Sequence, residues 1–264
     1  MNNFPRVSSI ISAMNNFTST LSGFVPISLE AMDHVKLLDR IDTKFILREN
    51  QLQEYLEAIS AQYSVLVIGG KSFHSYETLY FDTPEFNLYQ MHHNGKRNRY
   101  KLRCRKYVSS GISYFEVKSK TNTDRTVKAR MRVDDIPETL TVQMNQYITD
   151  HTPGAYPDYV PSLRVFFDRI TLVNNQANER LTIDLNLRYT RNGSEKKIQE
   201  LAIVEVKQEK HTISPFRELM KMERHPKNYI SKYCLGVMCL NKGLKMNCFK
   251  QKMNVLIKLG YDTY

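Results

Sequence analysis

The stretch "RNRYKLRCRKY", residues 97–107, decides how the rest of the chain is read. A cation stands at every odd position from 97 to 105: Arg97, Arg99, Lys101, Arg103 and Arg105. Asn98, Tyr100, Leu102 and Cys104 lie between them. Successive side chains on a β-strand point to opposite faces, so the alternation predicts a strand with all five cations on one side. Like charges beside one another weaken such a strand. One run of this kind is read equally well as a solvated outer face, and its meaning depends on the other strands.

The same test applied along the chain gives a recurring result. "RIDTKFIL" (40–47) sets Arg40, Asp42 and Lys44 against Ile41 and Phe45. "ISYFEVKSK" (112–120) sets Glu116, Lys118 and Lys120 against Phe115 and Val117. "TVKARMRV" (126–133) sets Lys128, Arg130 and Arg132 against Val127, Met131 and Val133. "SLRVFFDRITLV" (162–173) offers Arg169, and "RLTIDLNLRY" (180–189) offers Arg180, Asp184 and Arg188. "ELAIVEVKQEK" (200–210) sets Glu205, Lys207 and Glu209 against Ala202, Val204 and Val206. With "HSYETLYFDT" (74–83) and the opening run, eight strands are predicted, mostly antiparallel from their short connections. Helical spacing appears at 49–63, near 137–149, over 226–246 and in a last helix to about 258. The fold class is α+β: an eight-stranded antiparallel β-barrel, a tunnel, with flanking helices. Eight strands suffice for closure. Residues 1–28 are expected to be a tail or a loosely attached helix, and 29–264 the domain.

In that arrangement the apolar faces pack against the helices and the charged faces line a wet lumen. A lumen this cationic repels itself unless it holds polyanions. Its carboxylates, Glu205, Asp184 and Glu116, are candidate ligands for Mg2+ or Mn2+ beside phosphate oxygens; the alternative is that they neutralise nearby Arg and Lys. Glu205 is the strongest metal candidate.

The composition is consistent with this. The 264 residues are 41% hydrophobic and 11% aromatic, so the chain can bury a core, and the formal net charge is +11. No run of about 18 apolar residues predicts a membrane span, and the N-terminal stretch does not suit a signal peptide. The four cysteines, 104, 234, 239 and 248, form no CxxC pair. Reduced thiols and a cytoplasmic location are expected. A nucleic-acid binder should carry aromatics among its cations; Tyr100 and Phe115 fall on the opposite face, and nucleic acid is not an expected partner.

The ordered segments "LLDRIDTKFIL", "YFDT", "HHNGKRNRYKLRCRKY", "FEVKSK", "RTVKAR", "VEVK" and "SKYCLG" resemble the VTC (vacuolar transporter chaperone) polyphosphate polymerase domain of the CYTH-like triphosphate tunnel metalloenzymes, bacterial type. The resemblance runs from about Ile27 to Gly236. It implies a metal-dependent phosphotransferase that moves the γ-phosphate of ATP, or another nucleoside triphosphate, onto inorganic polyphosphate. It implies catalytic roles for Lys44, Arg103, Arg105, Lys118, Arg169 and Lys232, with Arg180 and Ser231 binding substrate and Glu205 binding metal. Arg40, Arg97, Arg99, Lys101, Lys120, Lys128, Arg130 and Lys207 complete the substrate-binding set. A family arginine position is held here by His92 or His93, a pair expected to hydrogen-bond rather than bind metal. The phosphate-sensing domain and membrane spans of the eukaryotic members are not expected here, and a membrane-associated partner is a candidate. Hydrolases of the superfamily begin with Glu-x-Glu-x-Lys. Here the run is Arg40-Ile41-Asp42-Thr43-Lys44, which favours a polymerase over the alternatives, a tunnel triphosphatase or a non-catalytic polyphosphate-binding module.

Overall fold

A computed structural model of the chain describes residues 17–33, 40–122, 126–152, 156, 158–210, 212–229 and 231–261. The strands are β1 (Val25–Ile27), β2 (Arg40–Arg48), β3 (Tyr63–Leu66), β4 (His74–Asp82), β5 (Arg99–Tyr107), β6 (Ile112–Lys120), β7 (Thr126–Val133), β8 (Val160–Asn174), β9 (Glu179–Arg191), β10 (Ser194–Ile198) and β11 (Leu201–Glu209). Residues 17–21 are helical (α1). The other helices are α2 (Leu29–Asp33), α3 (Glu49–Ile59), α4 (Asn87–His93), α5 (Val142–His151), α6 (Pro215–Met222), α7 (Lys232–Leu240) and α8 (Lys250–Lys258). No helix among the described residues is long and apolar enough to cross a membrane.

The eight strands expected from alternation are the eight of the main path, ordered β2-β11-β9-β8-β4-β5-β6-β7. Three short strands join its side: β1 pairs with β3, β3 with β8, and β10 with β9. The large sheet is mainly antiparallel with flanking helices, as expected. Among the described residues its path begins at β2 and ends at β7.

The chain divides into two compact units. The first comprises residues 1–73, 169–185 and 200–228, and the second 74–168, 186–199 and 229–264. In the first, β2 pairs with β11 along its whole length, and β11 pairs with β9. Their apolar faces (Phe45, Leu47, Leu181, Ile183, Ala202, Val204 and Val206) form one buried core with Leu52, Tyr55, Leu56 and Ile59 of α3. These four recur at helical spacing and so share one side of the helix. Ser214 caps α6 by accepting from Arg217 N at 3.1 Å, and Pro215 fixes its first turn. Phe17, Leu21 and Phe24 are buried in this core; residues 1–16 of the expected tail or helix lie outside the described residues.

In the second unit β4, β5, β6 and β7 run as an antiparallel series. Leu102 and Cys104 of β5 and Phe115 and Val117 of β6 join Leu79 and Phe81 of β4 in a core covered by Met144 and Ile148 of α5. β5 begins at Arg99. Arg97 lies exposed in the bend before it, because Gly95 turns the chain at a φ of 65° and Arg99 donates from Nη1 back to Lys96 O at 2.7 Å.

Candidate functional site

In the second unit, the register of β5, β6 and β7 sets cations abreast. Arg99 is opposite Lys120. Lys101 is opposite Lys118, and Lys118 is opposite Lys128. Arg103, Glu116 and Arg130 form the next row, and Arg105, Tyr114 and Arg132 the row after it. Among the described residues Glu116 is the one carboxylate on these strand faces. Arg103 donates from Nε to Glu116 Oε2 at 2.6 Å, and Lys128 ion-pairs with Oε1. Burial pushes the Glu116 carboxyl up, but Arg103, Arg105 and Lys128 outweigh it and hold the group well below its ordinary value. Burial, with Arg103 and Arg105, pulls Lys128 down to about 8 against the pull of Glu116.

β4 supports this face. Thr78 Oγ1 accepts from Arg105 Nε at 3.2 Å, and Tyr80 Oη accepts from Arg103 Nη1 at 3.4 Å. Lys232, the first residue of α7, places its ammonium 4.8 Å from the centre of the Phe167 ring on β8. Three contacts fix α7 itself. Ser231 caps it, its hydroxyl accepting from Cys234 N at 3.1 Å. Tyr233 donates to the buried carboxylate of Asp82, which also accepts from Leu88 N and Tyr89 N at the start of α4. Gly236 approaches so closely that a Cβ there would meet Tyr189 Cδ1 at 2.3 Å and Leu163 Cδ2 at 2.6 Å.

In the first unit Lys44, Glu205 and Thr182 form one row, and Asp42, Lys207 and Arg180 the next. Glu205 lies between Lys44, at 2.5 Å from Oε1, and Lys207, at 2.9 Å from Oε2. Burial raises the Glu205 carboxyl, but the two lysines hold it well below its ordinary range. Burial, assisted by Arg169 and Arg180, brings Lys207 down to about 8. Arg169 grips Asp184 with two bonds, Nε to Oδ1 at 2.6 Å and Nη2 to Oδ2 at 2.9 Å. Arg40 begins β2 opposite Glu209 in backbone register.

A divalent cation has no ready-made cluster to enter: no group of three His, Cys, Asp or Glu able to hold a metal exists among the described residues. Asp184 and Glu116 fit a metal poorly, because guanidinium forks occupy them. Both are better read as carboxylates that aim Arg169 and Arg103. Glu205 fits. Its partners are two lysines, point charges on flexible stems, and Mg2+-type ions commonly take one or two carboxylates together with substrate phosphates. His92 and His93 hydrogen-bond within the fold: His92 Nε2 lies 3.0 Å from Tyr100 O, and His93 Nε2 accepts from Cys248 N at 3.2 Å. Burial pulls His92 down to about 2, so it adds no charge.

The model of the VTC domain family matches residues 39–241. The chain belongs to the VTC domain family. No curated protein matches it in sequence. Among solved structures it is similar to a putative adenylate cyclase from Vibrio parahaemolyticus (12% identity, 76% of this chain and 99% of that one, TM-score 0.44). It is also similar to a putative adenylyl cyclase from Hippeastrum, described as having a dominant triphosphatase activity (16%, 75% and 94%, TM-score 0.47).

Within this VTC domain, two cations depart from strand parity, Arg97 before β5 and Arg188 on β9, and several rings lie among the others. Asn186 has a φ of 54°, and past it Arg188 stands 3.7 Å from the Phe166 ring centre and pairs with Glu195 at 3.1 Å. Tyr76, Tyr80, Tyr107, Tyr114 and Phe167 are interleaved with the cations of the second unit. The expectation that aromatics avoid the cationic face therefore holds for Tyr100 and Phe115 and fails for these. The alternation of Tyr76, Thr78 and Tyr80 against Leu79 and Phe81 carried the signal, in uncharged residues.

Proposed function

We propose that this VTC domain binds ATP or another nucleoside triphosphate together with inorganic polyphosphate, and moves the γ-phosphoryl group onto the end of the polyphosphate. The row Lys101–Lys118–Lys128 carries this reading. Three ammonium groups abreast oppose sheet pairing, and a polyanion across them turns that cost into binding.

Phosphoryl transfer asks the protein for positioning and charge neutralisation. A terminal oxygen of polyphosphate attacks the γ-phosphorus, the bond to the β–γ bridging oxygen breaks, and nucleoside diphosphate leaves with that oxygen. Arg103 and Arg105 grip phosphate oxygens through planar forks. Lys118, Lys128 and Lys232 add point charges. Lys44, Arg169, Arg180 and Lys207 bind phosphates in the first unit. Glu205 is the residue that would hold Mn2+ or Mg2+, whose charge would neutralise phosphate oxygens. Arg40, where hydrolases of the superfamily keep an acid, favours a second polyanion over a metal-activated water. The cysteines are free thiols, as the reducing cytoplasm keeps them, and we place the protein there.

Purified protein given γ-labelled ATP with Mn2+ or Mg2+ tests the reading. It predicts labelled polymer with little free phosphate. Stoichiometric phosphate without polymer would install the hydrolase reading, and no product with any nucleotide or metal would install the binding module.

A further inference from the structure

A continuous run of rings lies among the cations of the second unit. Phe167 of β8 and Tyr76 of β4 are stacked, with centroids 5.0 Å apart and planes 6° from parallel. Tyr76 meets Tyr107 of β5 at 5.0 Å and 57°, and Tyr107 meets Tyr114 of β6 edge-on at 6.2 Å and 87°. Cations cover the run: Arg105 lies 5.5 Å from Tyr76 and 5.6 Å from Phe167, and Arg130 lies 4.9 Å from Tyr114.

Phe167 is buried, whereas Tyr76, Tyr107 and Tyr114 are half-buried. Among the described residues, neither the Tyr107 nor the Tyr114 hydroxyl has a hydrogen-bond partner. Tyr107 shares its side of β5 with Arg105 and Arg103, because the three are two residues apart. Phosphates have no use for this surface. Polyphosphate carries no planar group, while a nucleoside triphosphate carries both a chain of charges and a flat ring.

We propose that Tyr107 and Tyr114 form the nucleoside subsite of the donor, the base stacking on the Tyr107 ring and meeting Tyr114 edge-on, while the triphosphate runs back along β5 towards Arg105 and Arg103. The inference rests on the triphosphate-binding reading above and adds the donor's orientation. Tyr107 and Arg103 are about 13 Å apart along the strand at about 3.3 Å per residue, which separates a base site from a phosphate site. Stacking tolerates every base, because each has a π-face. Purines, with more ring area, bind tighter than pyrimidines.

Calorimetric titration with ATP and with inorganic tripolyphosphate tests this. Wild-type protein should bind ATP more tightly than tripolyphosphate. Tyr107→Ala with Tyr114→Ala should weaken ATP about 10- to 100-fold and leave tripolyphosphate unchanged, and Tyr107→Phe with Tyr114→Phe should restore ATP. Equal wild-type affinities for the two ligands, which need no variant to fold, would overturn the subsite, as would equal losses of both in the alanine variant. A single-stranded oligonucleotide that outcompeted ATP and lost affinity in the same variant would give the rings to nucleic acid and likewise overturn it. Failure of wild-type protein to bind either ATP or tripolyphosphate would instead remove the phosphate reading beneath it.

Discussion

Lys101 and Lys118 stand directly opposite each other across the β5–β6 pair. Opposed like charges cost a sheet some tenths of a kcal/mol per pair, and here the pair is extended by Lys128 on the next strand. The backs of the same strands hold Leu102 and Val117, buried to 0% and 1% exposure. One strand pair thus keeps stability on one side and charge on the other.

Glu205→Gln should separate metal chemistry from phosphate binding. The amide keeps polar contact with Lys44 and Lys207 but removes the negative charge between them. Metal-dependent turnover should fall by about 100-fold or more, since even outer-shell partners of a metal commonly cost about 10–100-fold. Tripolyphosphate binding without divalent metal should be unchanged or tighter. Wild-type turnover in this variant would remove Glu205 from the metal role.

Asp184→Ala should act on stability first. It leaves the Arg169 guanidinium without its two-bonded partner in a part-buried setting, a change that typically costs about 3–5 kcal/mol. Denaturant titration measures this. A loss below about 1 kcal/mol would show that Asp184 does not hold Arg169 in place.

Gly236→Ala should displace α7, because the new methyl overlaps Tyr189 and Leu163. Overpacking of this kind costs about 1–3 kcal/mol. Turnover should fall more than tripolyphosphate affinity, since Lys232 moves with the helix while β5 to β7 stay. An unchanged melting temperature would contradict the close approach.

Glu49 supplies a pH dependence. Burial first, and Glu200 second, push its carboxyl up to about 7. A carboxyl raised on folding binds its proton more tightly in the native state. Its contribution to stability is complete below its ordinary value near pH 4.3 and is lost as pH rises to about 7. Glu49→Gln should therefore raise stability at pH 8, by at most about 4 kcal/mol, and change little at pH 4. Equal effects at both values would disprove the shift.

The strands of the main path were legible because period-two alternation is local: Leu102 and Cys104 are buried at 0% between the cations of β5, as their parity demands. The short strands β1, β3 and β10 were not legible, because their 3, 4 and 5 residues are too few to show an alternation. Parity also fails where the backbone departs from the pleat. The turn at Gly95 leaves Arg97 in the bend ahead of β5, and left-handed Asn186 redirects Arg188. Burial of Phe17, Leu21 and Phe24 was hidden by the polar residues around them. In the site, the cations were visible as charges, but the partners that aim them were not. Glu116, Asp184 and Glu205 look alike in sequence, and only geometry shows that two serve arginines while the third sits between lysines. Tyr76 and Tyr107 carry no charge, so an alternation of charge does not mark their rings.

The central claim, that β5 and β6 divide phosphate binding from stability by face, is tested most directly by measuring tripolyphosphate affinity and melting temperature together in Lys118→Ala and Leu102→Ala. The account predicts that Lys118→Ala loses about ten-fold in affinity with its melting temperature unchanged or raised, and that Leu102→Ala loses about 2–5 kcal/mol of stability while the folded fraction binds as before. Unchanged affinity in Lys118→Ala, or lost affinity in a fully folded Leu102→Ala, would contradict it.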